Sequence, residues 1–533
     1  TLIHGNDKNC SPVIATDNCL SMAITRRKIF GGPGCGKTYA IKADYVQFLE
    51  NGYTHDDITV LTFRKNAADD LVNATIQYAK VNRKELVHVG TIHSICNRLA
   101  GHRKLMDPAD YRQFIKENGY EKYTKPEHNN AIEEEAAYSG DMFDLYTWCR
   151  NTLTPFEMWK TYPGNKNIKM PSNMVPEFFK KYDEFKQKIE KIDYSDMLQT
   201  VLDKKIMLDT PILIVDEFQD LTAQMYKIFA MWEKQCEYVV IAGDPNQSIY
   251  GFWGGSPNYY IEWEGTEIIR HETFRLPEQI KDCSHKLLKW NKMSAPETKA
   301  KRVEYNPIIK ARYNNKFPEY GTEFHLVRCN YQADPLAGKL ADEGRVFSGL
   351  RGWTESEIDI ANAIIALRNG SPLSLAQVKA VIDLFPLKLL GMKGNKEDIK
   401  KSIERTYKPQ LNTGNGIINE KVLDILQSPD PVRYMLRTGK LFRSKIAGIR
   451  SRQMQITKDE TENRKILTIH GAKGLEADAV FLHLGITPKI QKAIMIPGAD
   501  KWAEARVWYV GMTRPKKMLY LISDAGTNYP MPN

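Results

Sequence analysis

Apolar residues fall along this chain in two regimes that alternate. Short solid runs, DITVLTF (57–63), PILIVDE (211–217) and YVVIAGD (238–244), are rich in β-branched residues and end on side chains able to do chemistry. Runs of that length predict buried strands of a parallel sheet, with functional residues at their carboxyl ends. Between them the period lengthens. TYAIKADYVQFLE places Ile41, Tyr45, Phe48 and Leu49 on one helical face, and PEFFKKYDEFKQKIEKI does the same for Phe178, Phe179, Tyr182, Phe185, Ile189 and Ile192. From His93 to about Tyr194 the helical pattern prevails, which predicts a helical insertion into the first sheet domain. A basic, helix-rich stretch from about 350 to 455 precedes KILTIH (465–470), DAVFLHLG (478–485) and KKMLYLIS (516–523), which predict a second sheet.

Composition narrows the class. A chain of 533 residues exceeds one core and predicts two to four domains. With 42% hydrophobic and 26% charged residues it reads as an ordinary globular protein. No run approaches the ~18 apolar residues of a membrane span, and no signal peptide is visible. The eight cysteines form no C-x-x-C pair, which argues against zinc, iron–sulfur and disulfide frameworks and points to a reducing, cytoplasmic compartment. The net charge of +10 has the sign a nucleic-acid binder needs, though many proteins without such a partner are as basic. Residues 1–21, ahead of Met22, are expected to be a leader or tag.

The strongest chemical signal is GGPGCGKT (31–38), which fits G-x-x-x-x-G-K-[ST] with Gly31, Gly36, Lys37 and Thr38 in the fixed places. Glycines let successive backbone N–H groups converge on one anion, and the following helix presents its N-terminus to it. Lys37 would reach the outer phosphates and Thr38 would hold Mg²⁺. A Gly-rich turn can match this pattern by chance, so a second signal is needed. It comes from Asp216 and Glu217, which four apolar residues push to the tip of a strand: Asp216 for the metal, Glu217 for the attacking water. Arg275 in HETFRLP and Arg514 in YVGMTRPKK are candidates for the positive charge that phosphoryl transfer requires.

These segments, in this order, resemble the UvrD/Rep/PcrA group of superfamily 1 DNA helicases. The likeness runs from about residue 29 to about 523 and includes the phosphate loop, VLTFRKNAADDL, VGTIHS, IVDEFQD, VIAGDPNQSIYGFWGG, ETFRLPEQI, LTIHGAKGLEADAVFL and EARVWYVGMTRPKKMLYL. The resemblance implies an α/β fold of two RecA-like parallel-sheet motor domains, each with a mainly helical insertion. The expected division is 22–93 with 195–275 for the first motor domain and 94–194 for its insertion. The second motor domain takes 276–349 with 456–533, around a shortened insertion at 350–455.

For the nucleotide, the resemblance implies contacts from the whole loop, Gly31, Gly32, Pro33, Gly34, Cys35, Gly36, Lys37, Thr38 and Tyr39, with Mg²⁺ on Thr38 and Asp216. It makes Gln247 the sensor of the outer phosphate, Arg275 and Arg514 arginine fingers of the second motor domain, and Phe274 the aromatic on adenine. Glu476 would bond the ribose, and Gly474 would also contact the nucleotide. For the DNA track it implies Phe63, Arg64, Thr91, His93, Tyr250, Phe252, Trp253 and His470; aromatics on strand-end loops can stack bases without reading sequence, or simply pack the loops.

The sequence departs from the group in four ways. No glutamine precedes Gln47, so the upstream adenine-reading glutamine is missing; Trp253 stands where relatives usually carry arginine; RKN replaces TNK; and the stretch between Arg275 and Thr468 is short. The expected function is ATP-dependent, 3′-to-5′ unwinding of forked DNA by translocation on a single strand, with replication or repair proteins as partners, in a bacterial or phage-infected cell. A protein-displacing translocase and a non-catalytic DNA-binding scaffold are the rival readings.

Overall fold

The computed structural model describes residues 24–63, 72–73, 83, 86–124, 141–312, 317–407 and 418–532. Six strands build the first sheet: β1 (Thr25–Gly31), β2 (Ile58–Thr62), β3 (Val89–Thr91), β4 (Ile212–Val215), β5 (Tyr238–Gly243) and β6 (Thr266–Arg270). They lie in the order β3-β2-β4-β5-β1-β6, and every neighbouring pair is parallel. Because all run the same way, the turns after β1, β4 and β5 open on one edge, so residues 31–38, 216–217 and 244–247 meet there. The run ILIV alternates across β4: Ile212 and Ile214 enter one apolar core with Ile41, Tyr45 and Phe48, while Leu213 and Val215 enter another on the opposite face. Burial on both faces is why the strand reads as a solid apolar run.

Two further strands, β7 (Glu272–Pro277) and β8 (Lys299–Arg302), form a separate two-stranded parallel ladder. The second six-stranded sheet comprises β9 (Ile308–Arg312), β10 (Glu323–Val327), β11 (Ser348–Gly349), β12 (Arg464–Thr468), β13 (Ala477–His483) and β14 (Pro515–Ser523), in the order β11-β12-β10-β13-β14-β9. It too is parallel throughout. The α/β class with two parallel sheets is therefore as expected, and one apolar core runs from beneath the first sheet into the second, joining Val215 and Tyr250 to Ile469 and Trp508.

Among the described residues, helices fill the chain between β3 and β4 and between β11 and β12; the first stretch has its own core, while the second shares one with Val327 of β10, Ile466 of β12 and the helix Ala333–Asp342. In the first, Phe178, Phe179, Tyr182 and Phe185 are buried on the helix Val175–Lys188. That helix stops short of the expected face. Glu190 takes a left-handed φ of 53°, turning the chain so that the Lys191 N–H closes on the Lys186 carbonyl, and Ile192 instead bridges to Leu105. No helix among the described residues is long and apolar enough to cross a membrane.

Candidate nucleotide cleft and nucleic-acid track

The turn after β1 is shaped by two glycines in the left-handed region, Gly34 (φ 72°) and Gly36 (φ 75°). At Gly34 a side chain would also collide, since an added Cβ would lie 2.4 Å from the Cβ of Arg275. Lys37 opens the helix Lys37–Glu50, whose first turn carries no acid to compete for an anion. The buried Lys37 folds back over the loop and donates from Nζ to the Gly31 carbonyl at 2.8 Å.

Across the sheet edge, the Thr38 hydroxyl donates to Asp216 Oδ2 at 3.1 Å, and the Glu217 N–H donates to Asp216 Oδ1 at 2.9 Å. Glu217 adopts φ 53°, an uncommon conformation for a residue with a side chain, and the Gln219 amide donates to its carboxylate. Burial, with the neighbouring Glu217 charge, pushes Asp216 upward. Burial works the same way on Glu217, but Lys473 and Lys37 outweigh it and hold that carboxyl low, so Glu217 stays ionised.

Residues of the second sheet complete the site. Arg514, just before β14 and fully buried, donates from Nη2 to Gln247 Oε1 at 3.0 Å, while the Gln247 amide donates to Asp244 Oδ2 at 2.8 Å. Lys473, in the turn after β12, is buried against the Asp220 carboxylate, donates to the Gln247 carbonyl at 2.7 Å, and lies 3.8 Å from Glu217. Arg275 is placed differently from Arg514. It stands on β7, whose Phe274 N–H donates to the Gly34 carbonyl at 3.0 Å and whose Thr273 hydroxyl donates to the Pro33 carbonyl at 2.8 Å. Of the two arginines expected to come from the second motor domain, only Arg514 is carried by the second sheet. The Arg275 Nε pairs with Glu476 Oε2 at 2.6 Å, and that contact, against the effect of burial, keeps Glu476 low.

The cleft between these groups holds about 430 Å³, and every nucleotide-site residue singled out in the sequence lines it except Gly31, Gly32 and Tyr39. Gly31 contributes its carbonyl to Lys37, and Tyr39 is 72% exposed on the helix beyond. Three cations went unforeseen in the sequence: Arg302 and Lys516, which line the cleft, and Lys473, which precedes Gly474 and stands beside Glu217. As for a metal, the Thr38 hydroxyl and Asp216 carboxylate are hard oxygen donors already in contact, a set that fits Mg²⁺.

The aromatics expected along a nucleic-acid track gather where the loops after β2, β5 and β12 meet. Phe63 stacks on Tyr250 with centroids 5.2 Å apart, and Phe252 meets His470 edge-on at 5.5 Å. Phe63 and Tyr250 are buried in this cluster, with the Lys473 ammonium 5.0 Å from the Tyr250 ring; Phe252 and Trp253 are half-buried. Thr91 caps the helix Ile92–Leu99 by accepting from the Ser94 N–H at 3.2 Å. His93 sits edge-on to Tyr194, and its burial pushes the imidazole down to about 4, so it is neutral at pH 7. Arg64 lies outside the described residues.

Two family models match this chain, in separate segments. The UvrD/REP helicase N-terminal domain matches residues 18–266 and the UvrD-like helicase C-terminal domain matches residues 443–525. Among curated relatives, the ATP-dependent DNA helicase Rep of Buchnera aphidicola subsp. Acyrthosiphon pisum is 23% identical, over 92% of this chain and 91% of its own. The "Probable DNA helicase II homolog" of Mycoplasma pneumoniae is 20% identical over 93% of this chain and 81% of its own. The ATP-dependent DNA helicase PcrA of Staphylococcus epidermidis is 22% identical over 50% of this chain and 38% of its own. One domain match takes in the phosphate loop, Asp216, Glu217 and Gln247, and the other takes in Lys473, Glu476 and Arg514, so the cleft lies between two matched halves and the chain belongs to the UvrD/Rep-like superfamily 1 helicases.

Proposed function

We propose that the protein is an ATP-dependent DNA helicase that moves 3′-to-5′ along one strand and separates a duplex ahead of it. The observation that carries the reading is the hydrogen bond from Arg514 to Gln247, which joins a cation of the second sheet to a phosphate-loop cleft built by the first. ATP would enter with its phosphates on the loop, and Lys37 would exchange the Gly31 carbonyl for the outer phosphates. Glu217, ionised, would accept a proton from the water that attacks the γ-phosphorus as the bond to the β-phosphate oxygen breaks. Arg514 and Arg275 would meet the charge spreading over the transferred oxygens, where fixed cations act most strongly. Thr38 and Asp216 would hold Mg²⁺, which when bound neutralises phosphate charge.

The same division of the chain into two motor domains with helical insertions belongs to this proposal, as does a cytoplasmic setting. Support for the direction comes from the long helical segment after β3 and from QSIYGFWGG, both shared with the 3′-to-5′ branch that the sequence resembles. The test is strand separation of 3′-tailed and 5′-tailed duplexes side by side, with ATP. Unwinding confined to the 3′-tailed substrate is expected. The reverse preference would refute the direction, and translocation without strand separation on either would favour a protein-displacing motor.

A further inference from the structure

Arg275 stands on β7 and Arg514 immediately precedes β14, and a side chain outside every recognised motif ties those two strands together. Arg302 ends β8. Its Nε donates to the Phe274 carbonyl at 2.9 Å and its Nη1 to the Lys516 carbonyl at 3.4 Å. Phe274 immediately precedes Arg275, and Lys516 lies two positions after Arg514. The opposite side of the Phe274 residue is held by the phosphate loop, through its N–H on Gly34 and the neighbouring Thr273 hydroxyl on Pro33. The strand that bears Arg275 is thus suspended between the loop and Arg302.

Such support is needed because the ladder itself provides little. β7 belongs to neither six-stranded sheet, and two strands alone are marginal. Its pairing with β8 runs from Glu272–Lys299 and Thr273–Ala300 directly to Pro277–Arg302, stepping over the residues between. The Phe274 carbonyl lies in that gap and takes its hydrogen bond from the Arg302 side chain instead.

We propose that Arg302 is a positioning residue that fixes the spacing of the two arginines, so that both reach the transferred phosphate together. A guanidinium suits the task because its donors form a rigid planar fork able to hold two carbonyls at set places, which a lysine ammonium does not. The inference rests on the ATPase reading above. Misplacing a catalytic group by about 1 Å can cost about a hundredfold in rate, so loosening this clamp should act on turnover and leave binding alone.

The experiment measures DNA-stimulated ATP hydrolysis by the full chain for wild type, Arg302→Ala, Arg302→Lys, Arg275→Ala and the double variant Arg302→Ala/Arg275→Ala, with single-stranded DNA affinity beside each. Arg302→Ala should lower kcat about tenfold or more, with KM for ATP and the DNA Kd within about threefold of wild type. Arg302→Lys should recover little of the loss. The double variant should fall far short of the product of the two single losses, because Arg302 acts in part through Arg275. A raised KM with kcat intact would make Arg302 a direct nucleotide contact, and fully multiplicative losses would make it independent; either overturns the proposal. Should Arg302→Ala fail to fold, Thr273→Val removes one hydroxyl from the other side of the same strand: a kcat-only loss restored by Thr273→Ser is expected, and unchanged kcat would refute the clamp. Wild type that hydrolyses ATP beside an unaffected Arg302→Ala sinks this inference alone, whereas wild type without hydrolysis sinks the cleft reading and this one with it.

Discussion

Glu217 and Lys473 are placed by opposite kinds of information. The acid follows a solid apolar strand, and its place beside the phosphate loop can be read from PILIVDE once the strands are known to be parallel. Lys473 owes its place to Asp220, a partner 253 positions away that nothing in the local pattern announces. Replacing Glu217 by Gln keeps the shape of the side chain and removes its charge. ATP binding should persist while hydrolysis falls by orders of magnitude, checked by nucleotide-binding fluorescence beside steady-state turnover. Lys473→Met should do two things at once. It leaves the buried Asp220 charge without its ammonium, a loss of about 3–5 kcal/mol in thermal or denaturant unfolding, and it removes a cation from Glu217. Adding Asp220→Asn should recover most of the stability and none of the ATPase. Recovery of both would make Lys473 a purely structural residue.

At the scale of elements, β1 shows what a strand excludes. Its backbone pairs with β5 on one side and β6 on the other from Arg27 to Phe30, so its N–H and C=O groups are spent on the sheet. Backbone in that segment cannot then stand in for the glutamine that the sequence lacks upstream of the loop. In the proposed reading the base stacks on Phe274, which lines the cleft at 52% exposure and offers a face any purine satisfies. Selection against the wrong base is strong where a site bonds its edge and weak where it only stacks. Hydrolysis of GTP and dATP at saturating single-stranded DNA should therefore run within about tenfold of ATP in kcat/KM, or roughly 1.4 kcal/mol. A hundredfold preference for ATP would show that an edge contact exists. Elements were legible wherever apolar period decided them, as for β4 and the helix Val175–Lys188. The ladder β7–β8 was not: ETFRLP and KAKR carry no solid apolar run, and they are fixed by the phosphate loop and by Arg302 instead.

For the whole molecule, the proposed motor activity requires that a nucleotide in the cleft be felt at the aromatic cluster of Phe63, Tyr250, Phe252 and His470. Two loops cross between the sheets. One runs from Asp244 through Gln247 to Tyr250 and Phe252, the other from Ile469 and His470 to Lys473 and Glu476. They meet at both ends: Lys473 on Gln247 at the nucleotide side, where Arg514 also holds Gln247, and His470 on Phe252 at the aromatic side. Between them the Lys473 ammonium lies over the Tyr250 ring. A shift of Gln247 toward a γ-phosphate would pull on both, so coupling through this contact requires it to take two arrangements, with and without that phosphate. Coupling of binding is reciprocal: if ATP changes DNA affinity by some factor, DNA changes ATP affinity by the same factor. In the wild type, a non-hydrolysable ATP analogue should shift the single-stranded DNA Kd by about fivefold or more, and DNA should shift the analogue Kd equally. Gln247→Ala removes the carbonyl that Arg514 holds and the amide on Asp244 while leaving Phe252 and His470 in place. Its DNA affinity without nucleotide should stay within about threefold of wild type, both shifts should shrink toward unity, and unwinding should fail even where some hydrolysis survives. Preserved shifts in this variant would mean that the signal crosses through Lys473 and Asp220 rather than through Gln247.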